Sequence, residues 1–247
     1  MSSLSRSEML VHWTGSNLAT PNSFVERLRS LYKNGLFYVE LKVDTLRGFG
    51  SNDRELPSMP SVCFTEMRLR DAHRFSIRYG KLGIVFHRTY LMRQGGANPV
   101  FYLQSDNNGI VNTIVARLSE RASGNFSRLH DSCYSDQFEN FDLKFALSFC
   151  KPMSDPGDQQ LSYFEEHEWR MVVHPGWPTD GSQLPAEYAS CESSPSGRAF
   201  RFQHKDVQAI VFPDRQTRQV AMADETMREY FKDHIPQMID LDLCGNV

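Results

Sequence analysis

Several features common in proteins of known chemistry are absent from this sequence, and each absence excludes something. No apolar run approaches the ~20 residues that a membrane-crossing helix requires, so no membrane contact is expected. Met1 to Glu8 is Ser-rich without an apolar core, so a secretory signal is not expected and a cytoplasmic location is. The five cysteines (Cys63, Cys133, Cys150, Cys191, Cys244) never take the Cys-x-x-Cys spacing of a zinc clamp or redox pair. Free thiols in a reducing compartment are expected, with no metal. There is no Gly-x-x-x-x-Gly-Lys phosphate loop, no Gly-x-Ser-x-Gly elbow and no His-Glu-x-x-His. Gly48-Phe49-Gly50 lacks the third glycine of a dinucleotide fingerprint and sits in a long polar loop. Glu40-Leu41-Lys42 has a nuclease-like Glu-x-Lys pattern, yet no aspartate precedes Asp44 to act as the upstream metal ligand. The pattern of a zinc deaminase is missing too.

What is present is enough to fold. The chain has 247 residues, 40% of them hydrophobic and 12% aromatic, which excludes a disordered or fibrous protein. One substantial domain over residues 1–247 is expected. The net charge of −3 hides an asymmetry. Residues 1–100 carry 14 Lys+Arg against 8 Asp+Glu, and the remainder 13 against 22. Much of the positive charge falls in Arg68, Arg70, Arg74, Arg78, Lys81, Arg88 and Arg93. Such a patch suits a phosphate-bearing ligand, nucleic acid or dinucleotide, or else is a solvated helix face balanced by the acidic half.

Along the chain, Met9 to Thr14 reads as a strand running into a Gly15-Ser16-Asn17 turn. Pro21 and the capping box Ser23-x-x-Glu26 predict a helix with Val25, Leu28 and Leu31 on one face, closed by Gly35. Strands are expected at Leu36–Val43, Ser61–Phe64, Gly83–Phe86, Pro99–Leu103, Tyr163–His174, Phe200–Phe202 and Val207–Phe212. Helices are expected after Phe64 to about Tyr79, over Gly109–Arg121 and Ser135–Cys150, and over Asp214–Phe231. Asp44 to Met59 reads as a polar loop and Pro152 to Asp158 as a break. Residues 175–198 read as a long loop, functional or mobile. The irregular alternation favours an α+β fold over a doubly wound sheet.

Three features carry candidate chemistry. His12 and Thr14 share one face of the opening strand by period-two geometry, so both can hydrogen-bond in one pocket. A strand–helix–strand unit from Val62 to Phe86 sets Phe75 among guanidinium groups, a stacking platform beside phosphate-binding arginines or simply core packing. In Glu165-Glu166-His167-Glu168-Trp169-Arg170, an extended backbone puts Glu166, Glu168 and Arg170 on one face. Two carboxylates two positions apart repel, which suits a site with a tuned pKa, or form a surface ion-pair ladder with Arg170.

Together these features resemble the layout of ADP-ribosyltransferases, and His12-Trp13-Thr14-Gly15-Ser16-Asn17-Leu18 is similar to the opening of the DarT-type nucleic-acid-modifying members. More closely, Val62-Cys63-Phe64-Thr65-Glu66, Arg78-Tyr79-Gly80, Gly83-Ile84-Val85-Phe86, Asn98-Pro99-Val100 and Glu168-Trp169-Arg170 resemble the AbiGi-type abortive-infection, phage-resistance family of bacteria. The resemblance implies a single ADP-ribosyltransferase-like domain with a split mixed or antiparallel β-sheet core and flanking helices. It implies NAD as substrate, held by His12, Thr14, Asn17, Arg47 or Arg74 and Phe75. Glu168 would be catalytic, stabilising the oxocarbenium-like centre as nicotinamide leaves, and Glu166 would orient the acceptor.

The resulting expectation is a toxin-like ADP-ribosyltransferase acting on nucleic acid (RNA or DNA) or protein during phage attack, neutralised by an antitoxin or another defence protein. An NAD hydrolase would use the same pocket with water. The alternative class is a non-catalytic antitoxin or sensor subunit that binds a partner protein through its basic patch.

Overall fold

The opening residues fold as their apolar run requires. Met9–Thr14 form strand β1, and the chain turns at Gly15, whose φ of +83° suits a residue without a Cβ. Helix α1, Pro21–Asn34, then begins with Pro at its first position. Its cap is Thr20, whose side chain accepts from the Ser23 backbone N–H while the Ser23 hydroxyl satisfies the Thr20 end. The expected Ser23–Glu26 box is therefore displaced by three residues, because Ser23 lies inside the first turn. Gly35 closes the helix at φ +86°, and a Cβ there would meet the Phe200 carbonyl oxygen at 2.4 Å.

The computed structural model describes residues 8–39, 59–66, 68, 71–103, 114, 118, 142–152, 154–155, 158–162, 167–173 and 195–246. After β2 (Leu36–Val39) come β3 (Ser61–Glu66), α2 (Ala72–Tyr79), β4 (Leu82–His87) and α3 (Arg88–Gly95). The strand expected over 99–103 is broken at Val100 into β5 (Asn98–Pro99) and β6 (Phe101–Leu103). A short helical segment at 142–147 precedes β7 (Cys150–Pro152), β8 (Ser154–Asp155) and β9 (Asp158–Ser162). The strand β10 covers Glu168–Val172, shorter than expected, and β11 covers Pro195–Phe200. The chain finishes with β12 (Val207–Phe212), α4 (Arg215–Ala223), α5 (Glu225–Tyr230), β13 (Gln237–Asp240) and a 3-10 segment, Leu241–Asn246. The single helix expected over Asp214–Phe231 is two, because Asp224 stops one and caps the next by accepting from the Met227 N–H. Of the helix expected at 109–121 only 114 and 118 are described, both helical, and the loop expected at 44–59, save residue 59, and most of 175–198 lie outside the described residues.

Nine strands form one open sheet in the order β11-β2-β3-β1-β4-β12-β13, with β10 on β3 and β5 on β10. Within this sheet every pairing among the described residues is antiparallel except β12 with β13. The α+β expectation is met by this largely antiparallel sheet and its helices. β3 is the branch point, pairing with β1 at Thr65 and Glu66, with β2 at Ser61, and along its length with β10.

Helices cover both faces, so the central strands are apolar on both sides, as β4 is from Leu82 to Phe86. One face carries Leu10, Phe64, Ile84, Phe86, Trp169 and Met171 against α1, α4 and α5. The other carries Val11, Trp13, Val85 and Val211 against α2 and the 3-10 segment. Gly80 sets the end of α2 on β1: its φ is +116°, and a Cβ would lie 2.1 Å from the Thr14 carbonyl oxygen.

Candidate functional site

Strand alternation decides what shares a pocket. Thr65 stands opposite Val11 on one side and opposite Glu168 on the other, so Val11, Thr65 and Glu168 point to one face. The Trp13 indole N–H donates to the Thr65 hydroxyl at 3.1 Å, which puts Trp13 on that face too. This is the α2 face. His12 and Thr14, one residue out of phase, point to the α1 face. There the His12 ring meets Phe64 edge-on, with centroids 5.8 Å apart.

On the α2 face β10 builds a buried ion cluster. Glu168 and Arg170 are 5% and 4% exposed. Arg170 Nε donates to Glu168 Oε1 at 2.7 Å, and Lys151 Nζ donates to Oε2 at 2.7 Å. Arg170 Nη1 reaches the Ser148 carbonyl at 2.6 Å. The Glu168 backbone N–H donates to the Tyr102 hydroxyl at 2.8 Å, and its carbonyl accepts from the Val100 N–H at 2.9 Å. Tyr102 and Lys151 are brought close by the parallel pairing of β6 with β7. The cluster thus fastens this small two-stranded unit to the main sheet. His167, which leads into β10, takes the left-handed φ of +44°.

Electrostatics follow from that packing. Burial by itself raises the Glu168 carboxyl, but Arg170 and Lys151, by charge and by hydrogen bond, together hold it down to about 2. Burial also works against the Arg170 charge, and Glu168 more than offsets it, so the guanidinium sits above its ordinary value. Cys63, opposite Arg170, has its thiol pushed up to about 12 by burial, with the Glu168 charge adding. At neutral pH the cluster is therefore an ionised carboxylate with each oxygen already engaged by a cation, beside a protonated thiol.

The His12 site is separate. Burial lowers the His12 pKa, its bond to the Cys63 carbonyl opposes this, and the charge of Arg27 lowers it further. The ring is neutral near pH 7, and because a carbonyl only accepts, Nδ1 carries the proton given to Cys63 O at 3.0 Å. Arg27, itself 8% exposed, lines a groove along α1 of about 490 Å³ with Leu18, Ser23, Lys33, Thr226 and Tyr230. Of the described residues expected to bind NAD, His12, Thr14, Asn17, Arg74 and Phe75, none lines it.

Among the described residues, the expected ones fall on both faces of the sheet. Phe75 is buried in the α2-side core and shares a face with Glu168. His12 and Thr14 lie on the opposite face. Asn17 is exposed in the turn after β1, and Arg74 is exposed on α2. Arg47 and Glu166 lie outside the described residues. Of the residues around Glu168, Arg170 is legible in the Glu-Trp-Arg spacing, whereas nothing local marks Lys151, Tyr102 or the Ser148 carbonyl. Among the described residues no group of three or more His, Cys, Asp or Glu could hold a metal ion, and no helix is long and apolar enough to cross a membrane.

Residues 49–177, just over half of the chain, match the family model described as "Putative abortive phage resistance protein AbiGi, antitoxin". The span includes Arg74, Phe75, Glu166 and Glu168, but not His12, Thr14, Asn17 or Arg47. No curated protein and no solved structure matches the chain.

Proposed function

We propose, from the premise that the chain belongs to the AbiGi family, that it is the neutralising component of an abortive phage-resistance system and acts by binding a partner protein. The antitoxin in that family's description supports this reading. The observation that carries it in this molecule is the state of Glu168, whose two carboxylate oxygens are held by Arg170 and Lys151. A transferase needs a carboxylate free to meet the ribose of NAD and the charge developing beside it. Here the carboxylate joins β10 to Lys151 of β7 instead. The ADP-ribosyltransferase-like layout is the competing reading, and it requires His12, Thr14 and Glu168 around one NAD.

Co-expression decides between them. The chain alone is expected to be harmless in cells and to relieve the growth arrest caused by the toxin of the same system. With labelled NAD, the purified protein is expected to leave the label untransferred and the NAD intact. Label transfer by the wild type that is lost in a folded Glu168→Gln variant would overturn the proposal and restore the transferase.

A further inference from the structure

Helix α2 divides cleanly into two sides. With about 100° per residue, Ala72, Phe75, Ser76 and Tyr79 fall on one arc, and the first three are buried. His73, Arg74, Ile77 and Arg78 fall on the other. Ile77 is 72% exposed, the most exposed of the large apolar side chains among the described residues. It lies one turn from both His73 and Arg74, so a cationic and polar rim surrounds an apolar point. Exposed Arg68 and Lys81 extend the rim at either end of the helix. From residue 68 to 81 the sequence carries five Arg or Lys against the single Asp71. Leu243, 66% exposed, adds a second apolar side chain on the 3-10 segment that packs beside α2 through Leu241 and Cys244.

The geometry points to the outer face of α2 as the surface that docks the neutralised toxin, on an acidic patch that offers a recess for Ile77. This rests on the proposed function and names its interface. Charge complementarity selects an acidic partner. The exposed Ile77 at the centre of the α2 face selects a protein over nucleic acid, because phosphate contacts have no use for an apolar side chain there. The family match covers α2 entirely.

The test is titration of the purified chain with the purified toxin whose arrest it relieves. Ile77→Asp is expected to weaken binding by about 30-fold, the loss of an interface hot spot. The pair Arg74→Glu and Lys81→Glu is expected to weaken it by about 10-fold, with most of that difference vanishing in high salt. Ile235→Asp, an exposed apolar position just before β13 and on neither α2 nor the 3-10 segment, serves as the control and is expected to bind as the wild type does. All four positions face solvent, and circular dichroism checks that each variant is folded. Wild-type affinity in both α2 variants would overturn this surface while leaving the neutralising role intact. A wild type that relieves no arrest overturns both. A 20-nucleotide RNA bound by the wild type and lost in the charge-reversed variant would assign the face to nucleic acid. A dimer split by Ile77→Asp in sedimentation would assign it to a second copy, and either result would overturn the proposal.

Discussion

The two faces of the central sheet are closed by different physics. On the α1 face, Phe24, Leu28, Phe64, Phe86, Met171 and Phe231 meet in a continuous apolar layer. Its polar members carry no charge: His12 is neutral, and among the described residues the buried Tyr32 hydroxyl has no hydrogen-bond partner. On the α2 face the apolar layer is smaller, and next to it a carboxylate and a guanidinium are buried almost completely. An apolar layer tolerates loss in proportion to the volume removed. A buried ion cluster does not, because removal of one partner strands the others. The lesson is that the same sheet holds one face by packing and pins the β6–β7 unit to the other by charge.

The largest expected effect breaks that pin. Glu168→Ala should cost about 3–5 kcal/mol in urea unfolding, since it leaves Arg170 and Lys151 buried opposite nothing. Replacement of all three members, Glu168→Leu with Arg170→Met and Lys151→Met, should recover much of the loss because no uncompensated buried charge remains. The cluster also makes a pH signature that the apolar face lacks. The folded pKa of Glu168 lies below its ordinary 4.5, at about 2, so its contribution is complete above pH 4.5 and drains away as pH falls toward 2. Stability measured from about pH 5 down to 2 should therefore fall steeply in the wild type and in a Phe64→Ala variant, but less steeply in Glu168→Gln. An equal slope in Glu168→Gln would mean that another group controls acid unfolding.

How much of this was legible in the sequence depends on whether the cause was local. β1, β3, β4 and β12 could be read because runs such as Leu82 to Phe86 are apolar on both sides. The shared face of Glu168 and Arg170 follows from alternation alone. The opposite placement of His12 and Glu168 does not, because it needs the registers of β1 on β3 and of β3 on β10. Lys151 and Tyr102 come from strands paired at a separation of about fifty residues, which no spacing rule reaches. α3 and β13 were invisible for a related reason. Arg88–Gly95 has one buried apolar residue, Leu91, and Gln237–Asp240 is an edge strand with little apolar alternation. The split at Asp224 was missed because one acidic residue can serve a helix surface or cap the next helix, and only the chain direction after it tells which.

A smaller effect sharpens the picture of how β10 is entered. His167 holds φ at +44°, which a histidine adopts at a cost of about 1 kcal/mol and a β-branched residue at more. His167→Val should lower stability by about 1–2 kcal/mol, whereas His167→Gly should be neutral or slightly stabilising in the same unfolding assay. The side chain is exposed, so the difference reads backbone strain and not lost packing. If Val and Gly behave alike, the turn into Glu168 carries no strain.

The smallest effect compares a half-exposed acid–guanidinium contact with the buried one directly. Arg29 on α1 grips Asp224 much as Arg170 grips Glu168, with Nε 3.1 Å from Oδ1. The difference is water: the Arg29 side chain is 41% exposed and that of Asp224 17%, against 5% and 6% for Arg170 and Glu168. The bond to Asp224 raises the Arg29 pKa and the bond to Arg29 lowers that of Asp224, yet solvent screens most of this. Arg29→Ala should therefore cost under about 1 kcal/mol, and the cost should shrink further in high salt. Asp224→Ala should cost more, by about 1 kcal/mol, because it also removes the cap that accepts from Met227. Unfolding both variants at low and high salt separates the cap from the ion pair, since only the pair is screened. An Arg29→Ala loss as large as that of Glu168→Ala would show that geometry, and not burial, sets the worth of these contacts.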